Sequence, residues 1–119
     1  MDSNLEENKT KQIWKIRTVK NYPEAHNHIF IGKVLNMSTS FVRLECRTYH
    51  FGKSLNSEKD IRVGELGVRI ITWNRIEMIN ELNPEFKYRE TKLEFDKHKV
   101  IISDGQLKYV VASSYDSRY

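Results

Sequence analysis

The sequence is poor in cysteine, proline and glycine, and each shortage excludes a class of protein. Cys46 is the single cysteine among 119 residues, so no disulfide can form within the chain. Two prolines and five glycines exclude collagen-like and proline-rich segments. No apolar run approaches the roughly 20 residues of a membrane-spanning helix, and the acidic, polar start lacks the pattern of a secretory signal. We therefore expect a soluble, cytoplasmic protein with no membrane partner.

The remaining composition is that of a globular domain with a small basic excess. Hydrophobic residues make up 39% and charged residues 30% of the chain. The net charge is +4, and residues 26–80 carry eight basic and five acidic side chains, an excess of +3. Such an excess attracts polyanions, but an ordinary solvated surface also shows it. Both interpretations stay open.

Alternating apolar and polar residues predict β-strands in the first half of the chain. Gln12–Val19 places Trp14 and Ile16 on one side of a strand, and Lys15 and Arg17 on the other.

His28–Met37 is rich in β-branched and aromatic residues, and its interior Gly32 is typical of a bulge or a sharp bend. A turn at Ser38–Ser40 leads to Phe41–Phe51, where the alternation is nearly strict. One face of that strand is apolar (Val42, Leu44, Cys46) and the other charged (Arg43, Glu45, Arg47).

The second half of the chain contains one ambiguous segment. Ile61–Ile71 is predicted as a strand, interrupted at residues 64–67 by a bulge or a tight hairpin. Trp73–Leu82 fits a strand at Ile76–Ile79, which we favour, but also a short helix with a capping Asn.

Two successive hairpins are predicted in residues 92–112. Asp104-Gly105 is a strong signal for a two-residue turn, since both residues accept a positive φ, and Asp96-Lys97-His98 is a weaker one.

Gly32–Leu44 and Val68–Ile79, separated by a polar insertion, resemble the Sm-like (LSm) family over residues 29–80. In that family a bent, glycine-containing strand is followed by a turn, a long strand, a variable loop and two strands that meet at a tight turn. The resemblance implies a small SH3-like barrel that often assembles into rings and binds single-stranded RNA at two loops. The second family motif, Ile-Arg-Gly followed by any residue and Asn, is replaced here by Ile71-Thr72-Trp73-Asn74-Arg75.

The predicted fold is therefore mostly β: a small, strongly bent antiparallel β-barrel of Sm-like or SH3-like type with an added C-terminal β-meander. Residues 1–10 form a flexible N-terminus, 11–112 a single domain and 113–119 a tail. Within the domain, 29–80 is the Sm-like core and 92–112 the extension.

Trp73, Asn74 and Arg75 are the first candidate nucleic-acid site. An exposed indole beside a guanidinium can stack a base and hold a phosphate, whereas the alternative is that Trp73 belongs to the core. The second candidate nucleic-acid site consists of Arg43, Arg47 and Tyr49. Basic and aromatic residues alternate in this way on proteins that bind single-stranded nucleic acids. Aromatic residues that stabilise strand pairing produce the same pattern.

No metal, cofactor or catalytic site is expected. His26, His28, His50 and His98 offer imidazoles, but structural zinc usually recruits thiolates and Cys46 falls on an apolar strand face. Paired carboxylates, a phosphate loop and a nucleophile elbow are all missing.

We expect a small non-catalytic binding module that binds RNA or single-stranded DNA through basic-aromatic loops. The alternative is a protein-interaction or scaffold module that self-assembles as a homo-oligomer, or joins a protein partner, through β edges.

Overall fold

The structure, a computed structural model, describes residues 6–7, 10–19, 27–51, 61–97 and 99–113. Within them the chain is mostly β, with two 3₁₀ turns and no α-helix. The strands are β1 (Glu6–Glu7), β2 (Ile13–Thr18), β3 (Asn27–Met37), β4 (Phe41–Phe51), β5 (Ile61–Val63), β6 (Gly67–Thr72), β7 (Ile76–Leu82), β8 (Lys92–Asp96), β9 (Lys99–Ser103) and β10 (Lys108–Ser113). The turns are η1 (Trp73–Arg75) and η2 (Tyr88–Glu90).

The first sheet is antiparallel and built around β4. One side of β4 pairs with β3, while the other pairs first with β6 and then with β5. β3 continues to β2, β2 to β7, and β1 pairs with the end of β3. β6 and β7 follow each other through η1, but these two strands do not pair, so the hydrogen-bonded sheet is open.

β3 and β4 approach each other closely at Gly32. A Cβ atom there would lie 1.9 Å from the carbonyl oxygen of Glu45 and 2.5 Å from the Cα of Cys46. The register shift that marks a bulge lies between Val34 and Asn36. The bulge predicted at Gly32 therefore lies further along the strand, since Gly32 pairs in regular register with Cys46 and instead permits the close approach of β4.

Both faces of the first sheet are covered by apolar side chains. One face encloses a cluster formed by Trp14, Ile16, Phe30, Val34, Val42, Leu44, Cys46 and Ile71. The other packs on β8–β9–β10 through a second cluster, formed by Ile13, Ile29, Ile31, Tyr49, Phe51, Ile61, Leu82, Phe86, Tyr88, Val100, Ile102, Val111 and Ala112. Since β2 lies between the two clusters, all six of its residues are buried.

The C-terminal sheet contains the two predicted hairpins, in the order β8–β9–β10. The prediction of a two-residue turn at Asp104-Gly105 was wrong, because Lys108 pairs with Ser103 and leaves a four-residue loop. Gly105 has a φ of 98°, whereas Asp104 acts through its side chain and accepts the backbone N–H of Leu107 at 2.7 Å.

Two ambiguous segments are resolved. Residues 73–75 form a single 3₁₀ turn and residues 76–82 a strand, so the favoured strand is confirmed. β5 and β6 both pair with β4, and the break at residues 64–66 is therefore an interruption of one edge and not a hairpin. Residues 1–5, 8–9, 20–26, 52–60, 98 and 114–119 lie outside the described residues, and they include most of the predicted N-terminus and tail.

Candidate interaction surfaces

Trp73 is tied to the turn that precedes β4. Its indole N–H donates to the carbonyl oxygen of Ser38 at 2.9 Å, and its backbone N–H donates to that of Ser40 at 3.1 Å. The half-buried ring packs against the cluster around Leu44. These contacts favour the packing interpretation over a free stacking platform.

Asn74 and Arg75 are exposed beside it. The Asn74 Oδ1 accepts a hydrogen bond from Thr72 Oγ1 at 2.7 Å. The Arg75 carbonyl oxygen accepts the backbone N–H of Val19 at 2.8 Å, which connects η1 to the end of β2. The triplet is thus a structural junction with two exposed polar side chains.

Tyr49 is 2% exposed and belongs to the core between the two sheets. Its hydroxyl lies 3.2 Å from Thr91 Oγ1, and burial raises its pKa. A base cannot stack on a buried ring, so Tyr49 leaves the candidate site. Tyr49 alternates with basic residues along β4 because its ring packs in the core, and the alternation does not mark a binding surface.

Arg43 and Arg47 lie half-buried on the face of β4 that points away from the Leu44 cluster. Arg43 is opposite Ile70 of β6, and Arg47 donates through Nη2 to the carbonyl oxygen of Arg89 at 3.2 Å. Trp73 packs on the other face. The structure therefore separates the two candidate clusters.

A network missed at the level of sequence connects β4 to η2. Tyr88 donates its hydroxyl to Glu45 Oε1 at 2.6 Å, and Arg89 donates through Nε to the same oxygen at 2.6 Å. The Tyr88 hydrogen bond, and then Arg89, lower the pKa of Glu45. Burial, followed by the Glu45 carboxylate, raises the pKa of Tyr88 to about 12. Glu45 thus anchors the segment after β7.

The edge formed by β6 is apolar on its exposed face. Val68 is 49% and Ile70 60% exposed, although both are branched aliphatic side chains on a strand. Val63 and Leu66, just before β6, are exposed as well. In the described part of the chain β6 pairs with β4 alone, which leaves its outer backbone groups open to a further strand.

Cys46 is fully buried, as predicted, and burial raises the pKa of its thiol to about 11.

No family model, curated protein or solved structure matches this chain. Among the described residues, no helix is long and apolar enough to cross a membrane.

His28 and His50 are paired across β3 and β4, with ring centroids 3.8 Å apart and the ring planes tilted by 34°. The described residues contain no group of three His, Cys, Asp or Glu side chains arranged to hold a metal ion, and His26 and His98 lie outside them. Burial, and then the charges of His50, Arg69 and Arg75, lower the pKa of His28 to about 4.

Acidification is expected to destabilise the fold through His28. The unfolded chain binds a proton at this residue near pH 6.5 and the folded chain near pH 4, so between these values the unfolded state binds more protons. The free energy of unfolding should fall as the pH is lowered through this window. His28→Phe keeps an aromatic ring next to Phe30 and should flatten the dependence. Urea unfolding of both proteins from pH 7 to pH 4 measures it; equal slopes would contradict the prediction.

Proposed function

We propose that the chain is a non-catalytic interaction module that self-associates through the free edge of β6. The observation that carries this proposal is an edge strand whose exposed side chains, Val68 and Ile70, are apolar. Proteins usually protect such edges with lysine, proline or a covering element, because an open apolar edge adds further strands. β6, Gly67–Thr72, contains neither lysine nor proline.

A second copy of the same strand is the partner that fits this edge best. β7, the other end of the sheet, exposes Glu77, Asn80 and Glu81, which do not complement an apolar row. Two antiparallel β6 strands related by a two-fold axis bring the apolar residues of both copies onto one face. Centred on Ile70, this arrangement also keeps the two Arg69 side chains from lying opposite each other.

The association is expected to be weak. Val68 and Ile70 are already about half-buried, so covering them contributes about 1 kcal/mol for each side chain, to which the strand hydrogen bonds add. Association costs about 4 kcal/mol or more in lost freedom. A dissociation constant of about ten to a hundred micromolar follows.

Ile70→Lys should turn the dimer into a monomer. Two lysines would face each other at the two-fold axis, and a lysine on an edge strand opposes strand addition. We expect the dissociation constant to rise by at least about tenfold. Sedimentation equilibrium across a concentration series up to several hundred micromolar measures it.

Asn80→Lys on β7 is the matched control, since it adds the same charge to the other sheet edge. It should leave the association unchanged. Loss of association in Asn80→Lys would indicate head-to-tail pairing of β6 with β7 and overturn the two-fold arrangement. A wild-type protein that stays monomeric throughout the series would overturn the proposal itself.

We also propose that the first sheet is a variant of the Sm-like or SH3-like barrel. Its support is the strand order, in which β6 reaches β7 through one 3₁₀ turn and β7 returns to β2. The close approach at Gly32 and the apolar cluster enclosed on one face agree with a strongly bent sheet. Uridine recognition of the family type has less support, because η1 lacks the Arg-Gly pair of the family motif.

A further inference from the structure

A basic groove lies beside η2, on a part of the surface that does not include β6. Its volume is about 270 Å³, and its rim carries four cationic side chains: Lys11 before β2, Lys33 of β3, and Lys87 and Arg89 of the segment after β7. Among the described residues that line it, Glu90 is the one with an acidic side chain. Cationic side chains therefore outnumber acidic ones on the described lining of this space, and Glu45 lies next to it, bonded to Tyr88 and Arg89.

Within the described residues, three of these cations form no ion pair, although two of them lie near carboxylates. Lys33 interacts electrostatically with Glu45, which is opposite it in the β3–β4 register, and Lys87 interacts with Asp104. Arg89 forms an ion pair with Glu45, and the carboxylate offsets much of the positive charge of Arg89. Lys11, Lys33 and Lys87 form no ion pair with any side chain in the described ranges. The groove therefore has a positive potential that a bound anion would relieve.

The groove is also held in shape before any ligand binds. The backbone N–H of Lys87 donates to Asp104 Oδ2 at 3.0 Å, and that of Phe86 to the Asn83 carbonyl oxygen at 2.9 Å. Tyr88 is buried and fixed to Glu45 at 2.6 Å. Because these contacts order the backbone in advance, binding would lose little conformational freedom.

We propose that this groove binds a phosphate group. Lysine ammonium groups act as point charges that suit phosphate oxygens, and three of them line this groove. The volume lies below the roughly 300–1,000 Å³ of pockets that enclose whole organic ligands, so the site fits one or two phosphates. A free phosphorylated compound and the backbone of single-stranded RNA both supply this group.

Pyrophosphate and a fluorescent oligouridylate are the two probes, measured by calorimetry and by fluorescence anisotropy. Replacing both Lys11 and Lys87 with glutamine should weaken binding by at least about tenfold. Glu90→Gln should strengthen it, since it removes the one negative charge of the rim. Replacing both Lys92 and Lys99 with glutamine, at exposed positions of β8 and β9, is the control with the same loss of two charges and should bind like the wild type. Circular dichroism verifies that each variant is folded.

The two probes distinguish the source of the phosphate. Lysine-dependent binding of pyrophosphate alone supports a small phosphorylated ligand, and lysine-dependent binding of the oligonucleotide alone supports an RNA backbone. Absence of binding by either probe overturns the proposal. So does binding that the Lys92/Lys99 control reduces as much as the Lys11/Lys87 variant does, since that would reflect net charge and not this groove.

Discussion

Gly32→Ala is expected to lower the free energy of unfolding by about 3 kcal/mol or more, the upper range for an overfilled interior. The new methyl group would lie 1.9 Å from the Glu45 carbonyl oxygen and 2.5 Å from the Cys46 Cα. Both neighbours are backbone atoms of a paired strand, so no side-chain rotation can relieve the overlap. β3 and β4 would have to separate, with loss of hydrogen bonds between them. Urea unfolding measures the change.

Gly67→Ala is the matched control for this prediction. Gly67 pairs with Cys46 from the other side of β4, but a Cβ there meets only the end of the Arg69 side chain, at 3.4 Å. Since that side chain can move, we expect a change within about 1 kcal/mol. Equal effects of the two substitutions would show that close approach at Gly32 is not the cause.

Phe86→Ala should cost about 3–5 kcal/mol, as expected for a fully buried aromatic ring. Phe86 is 1% exposed, lies in the core between the two sheets, and packs edge-on against Tyr109 with ring centroids 5.0 Å apart. Its removal leaves a cavity where the segment after β7 meets the C-terminal sheet. Thermal and urea unfolding measure the loss.

Phe41→Ala is the comparison, because Phe41 is half-buried and belongs to neither core cluster. It should cost about 1 kcal/mol. If Phe86→Ala does not fold, Phe86→Leu should fold and lose less than the alanine variant. A loss at Phe86 no larger than at Phe41 would contradict its role in joining the sheets.

Local pattern was enough to predict most strands. β4 has the bounds that its alternation predicts, Phe41–Phe51, because one face meets an apolar cluster along most of its length. The burial of Lys15 and Arg17 could not be predicted, since it depends on strands far along the chain. The Lys15 ammonium donates to the Val110 carbonyl oxygen at 3.3 Å, and Arg17 pairs with Glu77 at 2.6 Å.

Packing between distant parts of the chain also decides which of the predicted binding residues are accessible. Tyr49 alternates with basic residues, but the C-terminal sheet covers its ring, which no local pattern reveals. Part of the groove is visible in the sequence, because Phe86-Lys87-Tyr88-Arg89 alternates aromatic and basic side chains. Their meeting with Lys11 and Lys33 required the fold.

The burial of β2 on both faces has a consequence for synthesis on the ribosome. Lys15 and its acceptor on β10 are separated by 95 positions, so β2 emerges long before its second cover exists. Until β8–β10 arrive, the nascent sheet presents an apolar face containing Ile13, Ile29 and Ile31 to water. Such an intermediate is a substrate for chaperones that hold apolar surfaces. Any change that delays the packing of β8–β10 on this face should therefore increase aggregation of this chain.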